Sequence, residues 1–141
     1  MSDRLLLLSH AGVTLVMVGI MWSVQLTIYP QFRNVPVDDF VPYVTAHATR
    51  IVVLLAPFAP LEILLALLVW IRRPEDVSGR LAFIAGLLLA IGWLSTALWY
   101  APLHGELQSG HDAVLIDRLI WTNWFRTALW SIRGVFALSM L

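Results

Sequence analysis

The stretch Leu81–Leu103 reads LAFIAGLLLAIGWLSTALWYAPL and contains no charged side chain in 23 residues. An α-helix needs about 20 apolar residues to cross about 30 Å of membrane hydrocarbon. This stretch alone therefore predicts a transmembrane helix. Three further apolar segments meet the same length requirement, namely Leu5–Tyr29, Ile51–Ile71 and Leu119–Leu141.

The composition of the whole chain also indicates a membrane protein. Of the 141 residues, 60% are hydrophobic and 13% are charged, and the mean hydropathy is +0.81. A soluble domain usually carries about 25% charged residues, so we expect the lipid bilayer to be the first partner of this chain. The formal net charge of zero argues against a nucleic-acid partner, because phosphate binding needs an excess of basic side chains. The absence of cysteine excludes disulfides and thiolate metal sites.

These observations predict an all-α, integral membrane bundle of four transmembrane helices. We expect it to form a single domain, residues 1–141, with spans of approximately 5–29, 40–71, 81–103 and 114–141. The connection Arg72–Arg80 holds three arginines, and basic connections tend to stay on the cytoplasmic side. Both termini are then predicted to be cytoplasmic as well, in a multi-pass protein of the cell inner (plasma) membrane.

Charged side chains also lie inside two of the apolar segments: Glu62 in Ile51–Ile71, and Arg126 and Arg133 in Leu119–Leu141. Glu62 falls about 16 Å below the start of Ile51–Ile71, and Arg126 about 10 Å below the start of Leu119–Leu141, at 1.5 Å per residue. A lone charge at the bilayer centre costs about 2.5–3.5 kcal/mol. We therefore predict that Glu62 and Arg126 face each other inside the bundle; the alternative to a functional role is an ion pair that only joins two helices.

Two polar stripes run along the predicted second and fourth helices. Tyr43, His47 and Arg50 are spaced by four and three residues, which places them on one helix face. Asn123 and Arg126 share a face of the fourth helix in the same way, and Trp130 and Arg133 continue it. Because polar side chains have little reason to face lipid, we expect the two stripes to face each other or a cavity between them.

At the outer end of the bundle these stripes predict a pocket with an apolar floor and a polar mouth. Such a pocket suits a lipophilic ring compound that carries one or two oxygens. His47 is the predicted acid or base, since imidazole titrates near neutral pH. Arg50 and Arg126 are predicted to stabilise a phenolate or enolate oxygen. The further predicted substrate contacts are Gln25, Tyr29, Tyr43, Glu62, Trp99, His104, Asn123 and Trp124.

Several motifs of the chain occur together in a known group of proteins. They are Gln25–Phe32 (QLTIYPQF) followed by His47, then Pro102–Leu107 (PLHGEL), then Thr122–Thr127 (TNWFRT). In this combination the chain resembles a group of small bacterial four-helix membrane proteins. More distantly, its size and layout are similar to the anthrone-oxygenase-like family. That resemblance implies cofactor-independent oxygenation of polycyclic phenols, but it assigns no catalytic motif to particular residues of this chain.

Three functions remain open from the sequence. The first is a membrane oxidoreductase or oxygenase, either cofactor-independent or quinone-linked, that acts on a lipophilic aromatic or quinone-like molecule. The second is a non-catalytic accessory or assembly subunit of a larger membrane complex. The third is a haem or metal protein with His47 and His104 as ligands, although the sequence contains no H-E-x-x-H or C-x-x-C-H motif. A homodimer is compatible with all three.

Overall fold

The fold was analysed in a computed structural model that describes residues 2–75 and 77–141. The described part is all-helical, and four long helices account for most of it. We number them α1 to α4, and their bounds are Asp3–Asn34, Val37–Arg72, Gly79–Leu107 and Ala113–Leu138. Each overlaps one of the four predicted spans, so the predicted helical architecture is confirmed.

Three of these helices, α1, α2 and α3, are long and apolar enough to cross a membrane. Among the described residues, helix α4 is not apolar enough to meet the same criterion. Its four charged side chains lower its mean hydropathy; they are Asp117, Arg118, Arg126 and Arg133. Its polar face is nevertheless covered: Asn123, Arg126 and Arg133 are all buried. The other helices therefore shield the polar stripe of α4.

The helices pack in the ring order α1–α2–α3–α4, since α1 contacts α2 and α4 while α3 contacts α2 and α4. Asp3 and Arg4, near one terminus, lie with Met140 and Leu141, near the other, and with Pro74 and Glu75 at one end, where Asp3 forms an ion pair with Arg72 at 3.3 Å. We call this the terminal end. The opposite end, which holds residues 35–36 and 108–112, is called the hairpin end.

The capping of α1 and α4 follows from their first residues. Ser2 accepts a hydrogen bond from the Leu5 N–H at 3.3 Å. Asp112 accepts hydrogen bonds from Val114 and Leu115 at 2.8 and 3.1 Å. Both caps satisfy donors that a helix start leaves without partners. Helix α2 begins after Pro36 without a side-chain cap and continues through its internal prolines.

Helices α1 and α3 each contain one wider, π-helical turn, at Val24–Ile28 and at Thr96–Tyr100. In each case a proline follows two residues later, at Pro30 and Pro102. A proline inside a helix lacks a donor and clashes with the carbonyl four residues earlier. The wider turn accommodates that clash. Tyr29 and Tyr100 lie at the ends of these turns and are both buried.

The charged core of the bundle lies towards the terminal end. Arg133 Nη2 donates to Glu62 Oε1 at 3.0 Å, and both side chains are 1% exposed or less. A second guanidinium nitrogen of Arg133 donates to the Ala85 carbonyl. The Trp130 indole N–H donates to Glu62 Oε2 at 3.4 Å. This set of contacts joins α2, α3 and α4.

The predicted pairing of Glu62 with Arg126 is therefore wrong, although both residues do face the interior. The prediction measured depth from the apolar segments, whereas α2 and α4 begin earlier, at Val37 and Ala113. From those starts Glu62 lies about 38 Å along its helix, Arg133 about 30 Å and Arg126 about 20 Å. The depth of Arg133 is thus closer than that of Arg126 to the depth of Glu62.

Removal of one partner from this pair leaves a buried charge without compensation. We expect Arg133→Ala to lower the free energy of unfolding by about 3–5 kcal/mol. The matched control is Arg33→Ala, since Arg33 pairs with Asp117 at 2.8 Å on the surface and such pairs contribute about 0–1 kcal/mol. Equilibrium unfolding in mixed micelles measures both. An equal loss of unfolding free energy in the two variants would contradict the central role of the buried pair.

A second prediction follows from a close contact between α3 and α4. A Cβ atom on Gly92 would lie 2.6 Å from the Trp130 ring, whereas one on Gly86 would meet nothing within 4 Å. We expect Gly92→Ala to cost about 1–3 kcal/mol through overpacking. Gly86→Ala should cost nothing, because alanine favours the helix. Thermal unfolding of the two variants in one detergent checks this, and a Gly92→Ala protein as stable as Gly86→Ala would refute it.

Candidate functional site

The polar stripe of α4 meets α1 through two buried amides. Asn123 Nδ2 donates to Gln25 Oε1 at 2.9 Å. Gln25 Nε2 in turn donates to the Ile120 carbonyl at 3.2 Å. Gln25 and Asn123 are both fully buried, so these bonds satisfy groups that would otherwise be costly in an apolar interior. The structure thus brings together Gln25 and Asn123, two of the predicted substrate contacts.

A second group joins α1, α2 and α3 at the hairpin end. The Tyr29 hydroxyl and His104 Nε2 are hydrogen-bonded at 2.8 Å. The rings of His104 and His47 are 5.7 Å apart between centroids. His47 also packs edge-on against Phe32 at 5.2 Å. Tyr29, His47 and His104 therefore form one continuous aromatic cluster.

Arg126 lies buried at the centre of the bundle, with 5% of its surface exposed. Its guanidinium stands 4.5 Å from the centroid of the Tyr100 ring, donates to Met21 Sδ at 3.5 Å, and lies close to the Tyr29 hydroxyl. Within residues 2–75 and 77–141, no carboxylate is at ion-pair distance from it. The cation is thus held by an aromatic face and weak acceptors rather than by an acid.

Four polar atoms of this region are buried and lack a hydrogen-bond partner in the described part of the chain. They are His47 Nε2, His104 Nδ1, Asn123 Oδ1 and Arg126 Nε. A buried polar atom without a partner costs about 1–3 kcal/mol. Such atoms indicate a region that binds water or a polar ligand group. They include an obligate donor on Arg126 and an acceptor on Asn123.

A groove of about 260 Å³ opens beside this region, between α1 and α2. Tyr43, His47 and Arg50 form its polar side, and Ile28, Ile51 and Leu54 form its apolar side. His47 is half-buried and belongs both to the groove and to the aromatic cluster. The predicted stripe of Tyr43, His47 and Arg50 therefore lines one surface.

The remaining predicted site residues lie elsewhere. Glu62 is about 22 Å from His47 along α2 at 1.5 Å per residue, in the ion pair with Arg133. Trp124 packs against Trp22 at 5.8 Å on an exposed face. Trp99 is exposed and lies under Arg118, 5.0 Å from its guanidinium. The structure thus separates these three side chains from the groove.

The role of two residues was missed. Tyr100 was not among the predicted substrate contacts, but it covers Arg126 and donates to the Thr122 carbonyl at 2.7 Å. Arg133 was placed on the polar stripe without a partner, although it is the ion-pair partner of Glu62. The aromatic residue near a helix proline, seen at both Tyr29 and Tyr100, was the signal available for the first. His10 is buried, and its Nδ1 has no partner in the described residues.

The alternative function as a metal protein depends on two predicted ligands, His47 and His104. Within residues 2–75 and 77–141, no group of three or more His, Asp or Glu side chains is arranged around a common point. Structural zinc sites use four ligands and catalytic zinc sites three protein ligands. His47 and His104 by themselves do not supply such a set, and His104 Nε2 is engaged by Tyr29.

No family model, curated protein or solved structure matches this chain. The resemblance to small bacterial four-helix proteins and to the anthrone-oxygenase-like family therefore stays a prediction.

A further prediction follows from the hydrogen bond between Tyr29 and His104. Tyr29→Phe removes the partner of a buried imidazole nitrogen, so we expect a loss of about 1–3 kcal/mol and a changed ¹⁵N chemical shift of the His104 ring. Tyr43→Phe is the control, because Tyr43 is exposed in the groove. NMR of the labelled protein measures the shift; an unaltered His104 signal in Tyr29→Phe would show that the bond does not form.

Proposed function

We propose that this protein is a membrane-embedded oxidoreductase or oxygenase that binds a lipophilic aromatic or quinone-like molecule at the hairpin end of the bundle. In this proposal all four helices cross the cell inner membrane and both termini are cytoplasmic. The substrate reaches the groove beside His47 from the bilayer. Its oxygen-bearing edge faces Tyr43, His47 and Arg50.

Two features support the four-span arrangement. From Trp121 onward the surface that α4 turns away from the bundle is largely apolar, with Trp121 and Val135 among its most exposed side chains, while the exposed charges Asp117 and Arg118 lie nearer its start. An apolar outer face and a buried polar face are what a helix of a membrane bundle needs. The three arginines of Arg72–Arg80 support a cytoplasmic terminal end.

The observation that carries the functional proposal is the position of His47. His47 lines the groove, and its ring centroid is also 5.7 Å from that of His104, which is hydrogen-bonded to Tyr29. Tyr29 in turn lies close to Arg126. A titratable group at the surface of a cavity is thus linked to two further titratable side chains and to a buried cation, which is an arrangement typical of functional sites.

This arrangement suits proton abstraction from a weakly acidic ring compound. The imidazole of His47 takes the proton, so that an O–H or C–H bond of the substrate breaks and an N–H bond forms. Arg50 stabilises the resulting oxygen anion. Arg126 acts as a positioning residue through Tyr29 and His104, because it does not line the groove. With dioxygen as oxidant, a ring CH₂ group becomes a carbonyl and the second oxygen atom leaves as water.

One observation favours the accessory-subunit alternative. Trp22, Trp121, Trp124 and Phe125 are all exposed on the outer surface of α1 and α4. Aromatic residues are enriched where proteins contact one another. A larger membrane complex would cover this surface without requiring any reaction at His47.

The test of the proposal is oxygen uptake with anthrone, which gains one oxygen atom from dioxygen and yields anthraquinone and water. We expect the wild-type protein in lipid nanodiscs to exceed the rate of empty nanodiscs. His47→Ala should lower the catalysed rate by about 100-fold or more, the usual contribution of a general base. Binding of 1-hydroxyanthraquinone, followed by its absorption, measures affinity in the same samples.

His111→Ala is the matched control, because His111 packs against Phe40 at 4.8 Å away from the groove and should leave rate and affinity unchanged. A second pair is Arg50→Ala, which should weaken binding about tenfold or more, and Arg80→Ala, which should not. Tight binding without turnover would favour an accessory or carrier role. The absence of both binding and turnover would overturn the proposal.

A further inference from the structure

A larger cleft opens to the outer surface between α3 and α4. Its volume is about 630 Å³, whereas that of the groove beside His47 is about 260 Å³. Binding sites for small organic molecules usually measure about 300–1,000 Å³. The groove therefore accepts the edge of a ring system, whereas the cleft is large enough to accept a polycyclic body.

Four of the nine residues that line the cleft are aromatic. Trp99 and Tyr100 from α3 face Trp121 and Phe125 from α4, and Leu98 lies at its opening. Leu98 is 76% exposed and Trp121 is 70% exposed. Aromatic side chains favour a flat ring by offset stacking and edge-to-face contacts.

Tyr100 forms the inner wall of the cleft. Its hydroxyl donates to the carbonyl of Thr122, a residue that also lines the cleft, at 2.7 Å. On the other side of the Tyr100 ring stands the Arg126 guanidinium, 4.5 Å from the ring centroid. One side chain thus separates the cleft from a buried cation that has no carboxylate partner in the described residues.

The backbone explains why Tyr100 has this position. It is the last residue of the π-helical turn Thr96–Tyr100, and the Ala101 N–H donates to the Thr96 carbonyl, five residues back. The extra residue of such a turn rotates the side chains that follow it relative to those before it. Leu98 and Trp99 therefore face outward while Tyr100 is buried.

We propose that the cleft between α3 and α4 is the bilayer-facing binding site for the ring body of a flat, weakly acidic aromatic molecule. The ring lies among Trp99, Tyr100, Trp121 and Phe125, and its acidic oxygen is directed towards Tyr100 and the positive charge of Arg126 behind it. The choice of ligand class rests on the proposed function, but the site is a different one from the groove. An occupant without a charged or acidic group would gain nothing from Arg126.

The test compares variants of this cleft with variants of another one. The control cleft, of about 420 Å³, lies between α2 and α3 and is lined by Leu67 and Trp70. Leu98→Trp fills the first cleft and Trp121→Ala removes one of its walls; Leu67→Trp and Trp70→Ala make the same changes in the control cleft. The dissociation constant of 1-hydroxyanthraquinone is measured in phosphatidylcholine nanodiscs, with empty nanodiscs as background.

Because the groove and the cleft are separate sites, the titration of the wild type is fitted with two dissociation constants. We expect Leu98→Trp and Trp121→Ala to weaken one of them about tenfold or more and to leave unchanged the other, which Arg50→Ala weakens; the two control variants should leave both unchanged. Unchanged binding in all four, together with weaker binding in His47→Ala or Arg50→Ala, would overturn the cleft site and leave the proposed function standing. No binding to the wild-type protein would overturn both. A phospholipid that co-purifies with the wild type and is lost in Leu98→Trp would assign the cleft to lipid and overturn the inference.

Discussion

The ion pair between Glu62 and Arg133 is the centre of a set of contacts that joins three of the four helices. An apolar interior gives no solvation to a charge, so each of these side chains requires the other. Arg133 also bonds to the Ala85 carbonyl, and Trp130 bonds to Glu62, so that α2, α3 and α4 share one set of contacts. Since Trp130 also fills the space beside Gly92, the approach of α3 to α4 depends on this group.

The polar residues nearer the hairpin end depend on this arrangement. Because Arg133 is fixed against Glu62, Arg126 lies about 10 Å higher on the same face of α4. There it meets no carboxylate in the described residues but two tyrosines, Tyr29 and Tyr100. Each tyrosine reaches the interior from a π-helical turn that accommodates a following proline. A local backbone adjustment in α1 and in α3 therefore determines what surrounds the buried cation.

Much of the site was visible in the sequence. The four-and-three spacing of Tyr43, His47 and Arg50 placed them on one face of α2, and they do line one groove. The stripe that includes Asn123 and Arg126 was correctly expected to be buried. Spacing along a helix reports a face, however, and not the height at which two helices meet. That is why the partner of Glu62 was misassigned and why Glu62, Trp99 and Trp124 lie away from the groove.

The sequence by itself determined the helices, their apolar surfaces and the burial of the polar stripe on α4, because these depend on local periodicity and on the free energy of placing apolar and charged groups. Only the tertiary structure decided which arginine pairs with Glu62, that Arg126 is left with aromatic neighbours, and that Tyr100 stands between it and a cleft. Those features depend on where each helix starts and on one extra residue in each of two turns. Small offsets of this kind change which side chains meet without changing the hydrophobic pattern.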